Sequence, residues 1–452
     1  MDDAQILTVR FGYGAGGAAE IGSTRQMLTA LRGRDKVALD YPVASMDDIL
    51  ALSKRFREAR SARRNGGSGA ERAYRRVLTE TRTRFGTGIQ HGIARILDTD
   101  DPFRERLTAF WADHFTVVPK NAPMRALAPT YIDTAIRPHV AGRFGDMLKA
   151  VVTHPMMLLY LDQTASIGPN SRAGQRLDRG LNENLAREIL ELHTLGVGGP
   201  YGQADVRELA ELLTGLSVSP DEGFVFRPRI AEPGAETVLG KRYGGQRASL
   251  DAIFQAINDL ATHPKTALHI SGKIARHFVS DTPDQTLIDE MAQAWTRSSG
   301  DLAQVYAALL KHPSALSPPG AKVRQPMDFM VAAAKALSVT GREVANASLR
   351  DLRRHVAGPL AAMGQPVFGA SGPDGWPEEA AHWITPQGLA SRIAWAAAAA
   401  ESRADAIGDP RAFVETVLGP RVTPGLRIAV SGAETKAEGI ALTLASAEFN
   451  RR

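Results

Sequence analysis

The sequence has no cysteine among its 452 residues. Disulfides, thiolate zinc sites, iron–sulfur clusters and cysteine nucleophiles are thereby excluded. Aromatic residues are sparse, at 6%, and no stacking ladder of them runs beside the basic segments. No apolar run approaches the roughly 20 residues that span a bilayer. The opening residues, Met1-Asp2-Asp3-Ala4-Gln5, carry acid where a secretory leader carries Lys or Arg. As written, the expected compartment is the cytoplasm; a cysteine-free chain suits the periplasm as well.

What is present is the composition of a globular protein: 44% hydrophobic and 23% charged, enough to exclude wholesale disorder and to bury a large core. The net charge is +5, and much of the excess sits between Lys54 and Arg84. Glu58, Glu71 and Glu80 are interleaved there. The segment therefore reads as a solvated helix pair around the loop Asn65-Gly66-Gly67-Ser68-Gly69, and a nucleic-acid partner is not expected.

Apolar residues recur with a helical period along most of the chain. Helices are expected over 22–32, 46–62, 71–85, 88–97, 102–115, 126–137, 143–153, 155–162, 183–195 and 204–217, and onward to 435–445. Strands alternating with helices do not recur, which argues against a parallel α/β sheet. The expected fold is all-α: a large multi-helix globular bundle with irregular loop excursions and at most a minor β-hairpin, placed at 224–227 and 237–239. One domain, 1–452, is expected, divisible into sub-lobes 1–160 and 161–452. Residues 164–180 read as a polar loop.

The run Gly12-Tyr13-Gly14-Ala15-Gly16-Gly17 matches G-x-G-x-x-G after the apolar Ile6-Leu7-Thr8-Val9. A dinucleotide fingerprint also needs a strand before it and a βαβ unit around it, and helices follow instead. Gly12, Gly14 and Gly17 are expected in a turn between two short helices, so no NAD site is expected.

On a wheel of 100° steps, Leu181, Leu185, Ile189, Leu192 and Leu195 form one stripe. Glu188 falls in its centre, with Asn184 and Glu191 on its edge; Glu183 and Arg187 face away, four apart, as a charge pair. A carboxylate on an apolar face is costly without a partner, so Glu188 is expected to be buried and paired. His193 falls on another face. His114 is centred on the apolar face of 102–115, with Asp113 off to the side. Asp162 ends a nearly all-apolar stretch from Pro155, and Asp205 is placed to reach back to the cap of its helix. His154, His263 and His312 precede proline as helix starters. Lys273, Arg276 and His277 look like a snorkelling helix face.

With these residues the chain resembles the bacterial domain-of-unknown-function family 1800. The matching motifs are Phe110-Trp111-x-x-His114-Phe115, Leu158-Leu159-Tyr160-Leu161-Asp162, the run from Asn182 to Gly196, Leu213-Thr214-Gly215, Val238-Leu239-Gly240 and Gly375-Trp376-Pro377. The resemblance covers essentially the whole chain. It implies a helical fold and supplies no activity, cofactor or catalytic residue. It also implies a partner: members often lie beside a second uncharacterised family that looks related to sulfatases and alkaline phosphatases. The chain departs from the pattern after Phe226, where Arg227-Pro228-Arg229 stands in place of a His-Asp pair, and at Gln163, where Asn is common.

Two functions follow as expectations. The first is a structural or partner-binding scaffold with a buried polar network fixing helix register. The second is a metal-dependent or carboxylate–imidazole enzyme, with hydrolysis among its candidate reactions, built from His114, Asp162, Asn182, Glu183, Asn184, Arg187, Glu188 and Glu191. In that case His114, Asp162 and Glu188 are the candidate metal ligands.

Overall fold

The structure, a computed structural model, describes residues 1–15, 17, 21–66, 68–176, 180–320 and 322–452. Gly16 of the glycine run, Gly67 of the basic loop and residues 177–179 of the polar loop lie outside the described residues.

The fold is all-α with two small hairpins. Local signals start most helices. Asp2 and Ser45 form capping boxes before Asp3–Phe11 and Met46–Arg64. The three His-Pro steps behave as expected: the Nδ1 atoms of His154, His263 and His312 accept the N–H of Met156, Lys265 and Ser314 at 3.0, 3.1 and 3.2 Å. Ile6, Leu7, Thr8 and Val9 lie inside a helix, so the glycine run follows helix, not strand, and precedes the Thr24–Arg32 helix.

The two helices expected over 71–85 and 88–97 are one helix, Ala70–Asp98. Its internal glycines admit neighbours where a break was expected. A Cβ on Gly86 would lie 2.3 Å from Leu349, and one on Gly88 2.5 Å from Pro129. The helix packs along Met46–Arg64 and Ala122–Tyr131.

The hairpin excursion differs from expectation. β1 (Leu216–Ser219) pairs with β2 (Gly223–Phe226), and β3 (Gly234–Val238) with β4 (Lys241–Gly245), both antiparallel. Each stretch finds its sequence neighbour instead of the other. The turn explains it: Leu239 and Gly240, at φ +51° and +74°, form the two-residue type I′ geometry that closes a tight hairpin. Asp205 locks this turn. One carboxylate oxygen accepts the Leu239 N–H at 2.7 Å, while the other accepts the Gly202 N–H at 2.9 Å as the cap expectation required.

One large apolar cluster draws residues from Leu7 to Ala315, and a second from Phe329 to Phe449 with Ala15. The first runs continuously across residue 160, so a boundary there does not show in the packing. Among the described residues no helix is long and apolar enough to cross a membrane.

Candidate functional site

The Asn182 side chain is a fastener. Its Nδ2 donates to the carbonyls of Leu161 (3.2 Å) and Asp162 (3.0 Å), and its Oδ1 accepts the Asn184 N–H (2.9 Å). This clamps the start of the next helix to the left-handed turn at Asp162, φ +56°. Asp162 itself points outward to Lys120 at 2.7 Å, both side chains exposed. Asn184 is exposed. Arg187 lies between Glu183 (3.2 Å) and Glu191 (3.1 Å) and also reaches Gln203 (3.1 Å).

The helix does not keep a 100° step. It is α-helical over Asn184–Glu188 and π-helical over Ile189–Thr194. The Leu195 N–H donates to the Leu190 carbonyl, five residues back, so each residue turns through less than an α-helical step. His193, expected on another face, is therefore buried against His114 and Phe115, with ring centroids 6.0 and 5.0 Å away. Leu192, expected in the stripe, is half-exposed.

Glu188 corrects the sequence reading. It is half-buried and has no ion-pair or hydrogen-bond partner among the described residues. Burial, then Glu191 and Asp374, push its carboxyl up to about 7 against the opposing pull of Arg187. His114 is fully buried, as expected. Burial holds its imidazole well below the usual range, with Lys273, His193 and His269 adding to the effect. Its Nε2 meets the His193 carbonyl at 3.4 Å, and its Nδ1 has no partner among the described residues.

The candidate metal ligands do not converge. Among the described residues, the one trio of acids or imidazoles with ligand atoms within 4.8 Å of one another is Glu208, Glu211 and Glu236. His114, Asp162 and Glu188 do not form such a set. Two of the trio's acids already have partners: Glu208 accepts the Thr237 N–H at 2.7 Å, and Glu211 pairs with Arg207 at 3.1 Å.

A different centre forms where the Pro102–His114 helix meets the Gly375-Trp376-Pro377 motif. Asp113 Oδ1 accepts the Trp376 N–H at 2.9 Å. Gly375 sits at φ +83°, and a Cβ there would come 2.6 Å from the Asp113 carbonyl oxygen, so only glycine fits. Among the described residues Asp113 has no cation within ion-pair distance. Burial pushes its carboxyl up to about 7; Glu378 and Asp374 add to the rise, while the Trp376 N–H and Lys273 oppose it. Burial in turn pulls the Lys273 ammonium down, against Asp113, Glu378 and Asp374.

Asp113 and Trp376 border two cavities. One, of about 210 Å³, is also lined by Tyr13, Arg106, His277 and Asp328. The other, of about 40 Å³, adds His114, Lys273, Asp374 and Glu378. Around them runs a closed charge network. Lys322 contacts Asp281 (2.6 Å) and Glu378 (3.0 Å). Arg106 contacts Asp328 at 2.6 Å. His277 Nδ1 donates to Glu378 at 2.6 Å. Burial lowers His277 to about 4, so at neutral pH this is a hydrogen bond from a neutral ring. The snorkelling face expected at 273–277 is thus wrong for His277, which is buried, and holds for Arg276, which is exposed.

Asp113, Lys273, His277 and Glu378 were missed by sequence reasoning. One usable signal existed: Lys273 and His277 stand four apart on one face of the Pro264–Phe278 helix.

A sequence model of the family described as "protein of unknown function (DUF1800)" matches residues 6–451. The chain belongs to that family. No curated protein matches it, and no solved structure does.

Proposed function

We propose that this chain is an enzyme of the carboxylate–imidazole kind, acting by acid–base chemistry on a small polar substrate in the chamber beside Trp376. The observation that carries the reading is Asp113. It is a carboxyl bordering two adjoining cavities, held by one backbone hydrogen bond and, among the described residues, left without a paired cation. A carboxyl that titrates near neutrality in a cleft is suited to give or take a proton. Arg106, fixed by Asp328, offers donors on the same wall, and the Nε2 of neutral His277 offers an acceptor. The volume of about 210 Å³ limits the substrate to a small molecule or the tip of a larger one.

A second reading, the scaffold with a buried polar network, is favoured by one specific observation. Asn182, Glu183 and Arg187 spend their hydrogen-bonding capacity on internal contacts.

A carboxyl-carbon NMR titration decides between them. The enzyme reading expects a resonance with a midpoint near 7 that disappears in Asp113→Asn. A midpoint in the ordinary carboxylate range would overturn it. Turnover of ester, phosphate-ester or glycoside probes should then fall by roughly 10² or more in the folded variant.

A further inference from the structure

A third cavity, which Asp113 does not line, lies mainly in the C-terminal half, with Met327 between it and the larger Asp113 chamber. Its volume is about 660 Å³, within the range of small-molecule sites. One wall is the Pro326–Ala336 helix, through Met330 and Ala334; the facing wall is the Pro386–Ile407 helix, through Trp395 and Ala398. Ile93 of the long Ala70–Asp98 helix closes the floor. The space stays open because small side chains face it along one side of Pro386–Ile407: Ser391, Ala394, Ala398 and Ser402.

The polarity of this cavity is lopsided. Its interior is aliphatic and aromatic, and no Asp or Glu lines it among the described residues. Its basic side chains are Arg354 and His355 on the π-helical turn Arg353–Ala357, and Arg403 opposite. Arg403 is occupied by Glu343. Arg354 is exposed and has no ion-pair or hydrogen-bond partner among the described residues. The turn carrying it is pinned, because Trp395 Nε1 donates to the His355 carbonyl at 3.0 Å.

We propose that this cavity binds an aliphatic carboxylate, with the chain along Met330, Val331 and Trp395 and the carboxylate at Arg354. An apolar cavity of this size gains by exchanging water for methylenes. The unpaired guanidinium supplies a forked donor for a carboxylate. The site is separate from Asp113 and stands or falls apart from the acid–base reading.

Fluorescence titration of the full chain with cis-parinaric acid and with its methyl ester tests this. The expected result is saturable binding of one molecule per chain, with the acid bound several-fold more tightly than the ester. Ala398→Trp should weaken both by at least tenfold by filling the cavity. Arg354→Gln should weaken the acid alone. Ala394→Trp serves if Ala398→Trp fails to fold by circular dichroism. Equal affinity for acid and ester, or binding unchanged by both tryptophan variants, would overturn the proposal. So would a micromolar dimer that Ala398→Trp dissociates, because the groove would then be covered by a second copy. A lysophosphatidic acid that outcompetes the free acid would overturn the carboxylate assignment in favour of a phosphate head.

Discussion

Asp328 and Asp113 are both largely removed from water, and they sit around the same chamber. Asp328 contacts Arg106 at 2.6 Å and Arg452 at 3.6 Å, and its carboxyl is held below the usual range against the penalty of burial. Asp113 has one N–H and, among the described residues, no ion-paired cation, and it rises to about 7. Glu105 and Glu188 differ in the same way in their partners, Glu105 with Arg137 at 2.5 Å and Glu188 with none among the described residues. Burial raises the carboxyls of both aspartates, and at Asp328 the adjacent guanidinium groups outweigh it. Paired acids tie together segments far apart in sequence; unpaired ones are left with protons to exchange.

The largest test removes a partner from the closed side. Arg137 holds both Glu105 and Asp35. Arg137→Met should cost roughly 3–5 kcal/mol, because it strands a buried carboxylate. Urea denaturation measures it. The triple change with Glu105→Leu and Asp35→Leu should recover most of that loss; no recovery would mean the pair is not the source. Next in size is Asn182→Ala. Three hydrogen bonds go, two of them to carbonyls of the Asp162 turn, and roughly 2 kcal/mol should follow.

The open side is tested by pH. The folded Asp113 binds a proton that the unfolded chain releases near the ordinary value. Its contribution to stability is therefore complete below about pH 4 and is lost as pH rises through 7. Asp113→Asn keeps the acceptor for Trp376 and removes the charge. Its stability should exceed that of the parent at pH 8, by on the order of 2 kcal/mol, and approach it at pH 4. Asp328→Asn should do the opposite and lose stability at pH 8. If both variants shift the same way, the distinction between paired and unpaired acids fails. Glu188→Gln should follow Asp113→Asn in sign with a smaller gain, about 1 kcal/mol at pH 8, since solvent screens a half-exposed group.

How far this contrast could be read from sequence depends on its range. Helix starts were legible because their signals are local, as at Asp2, Ser45 and the His-Pro steps. Asp205 was legible as a cap for the same reason. The wheel through Asn182–Gly196 failed at Ile189, where the ladder changes from four-residue to five-residue closure. That change is invisible to any fixed angular step, and it brought His193 inside. Gly86 and Gly88 read as a break because a sequence does not show Leu349 and Pro129 arriving from elsewhere. Asp113 was correctly placed off the apolar face, but the Trp376 N–H that meets it comes from 263 residues away. Spacing within one helix carries no trace of such a contact.

The smallest expected effect concerns Asp162, a motif residue and the weakest member of the candidate cluster. Its ion pair with Lys120 joins side chains 60% and 44% exposed. Such a pair contributes roughly 0–1 kcal/mol. Its backbone lies in the left-handed region at φ +56°, which costs a non-glycine residue a similar amount. Asp162→Gly removes both terms together, so stability should move by less than about 0.5 kcal/mol, while Asp162→Ala, which keeps the strain, should lose about 1. The carbonyl that Asn182 grips belongs to the backbone and survives either change. A loss of several kcal/mol in Asp162→Gly would show that the exposed carboxylate matters beyond this surface pair, and would return it to the group of acids that need a partner.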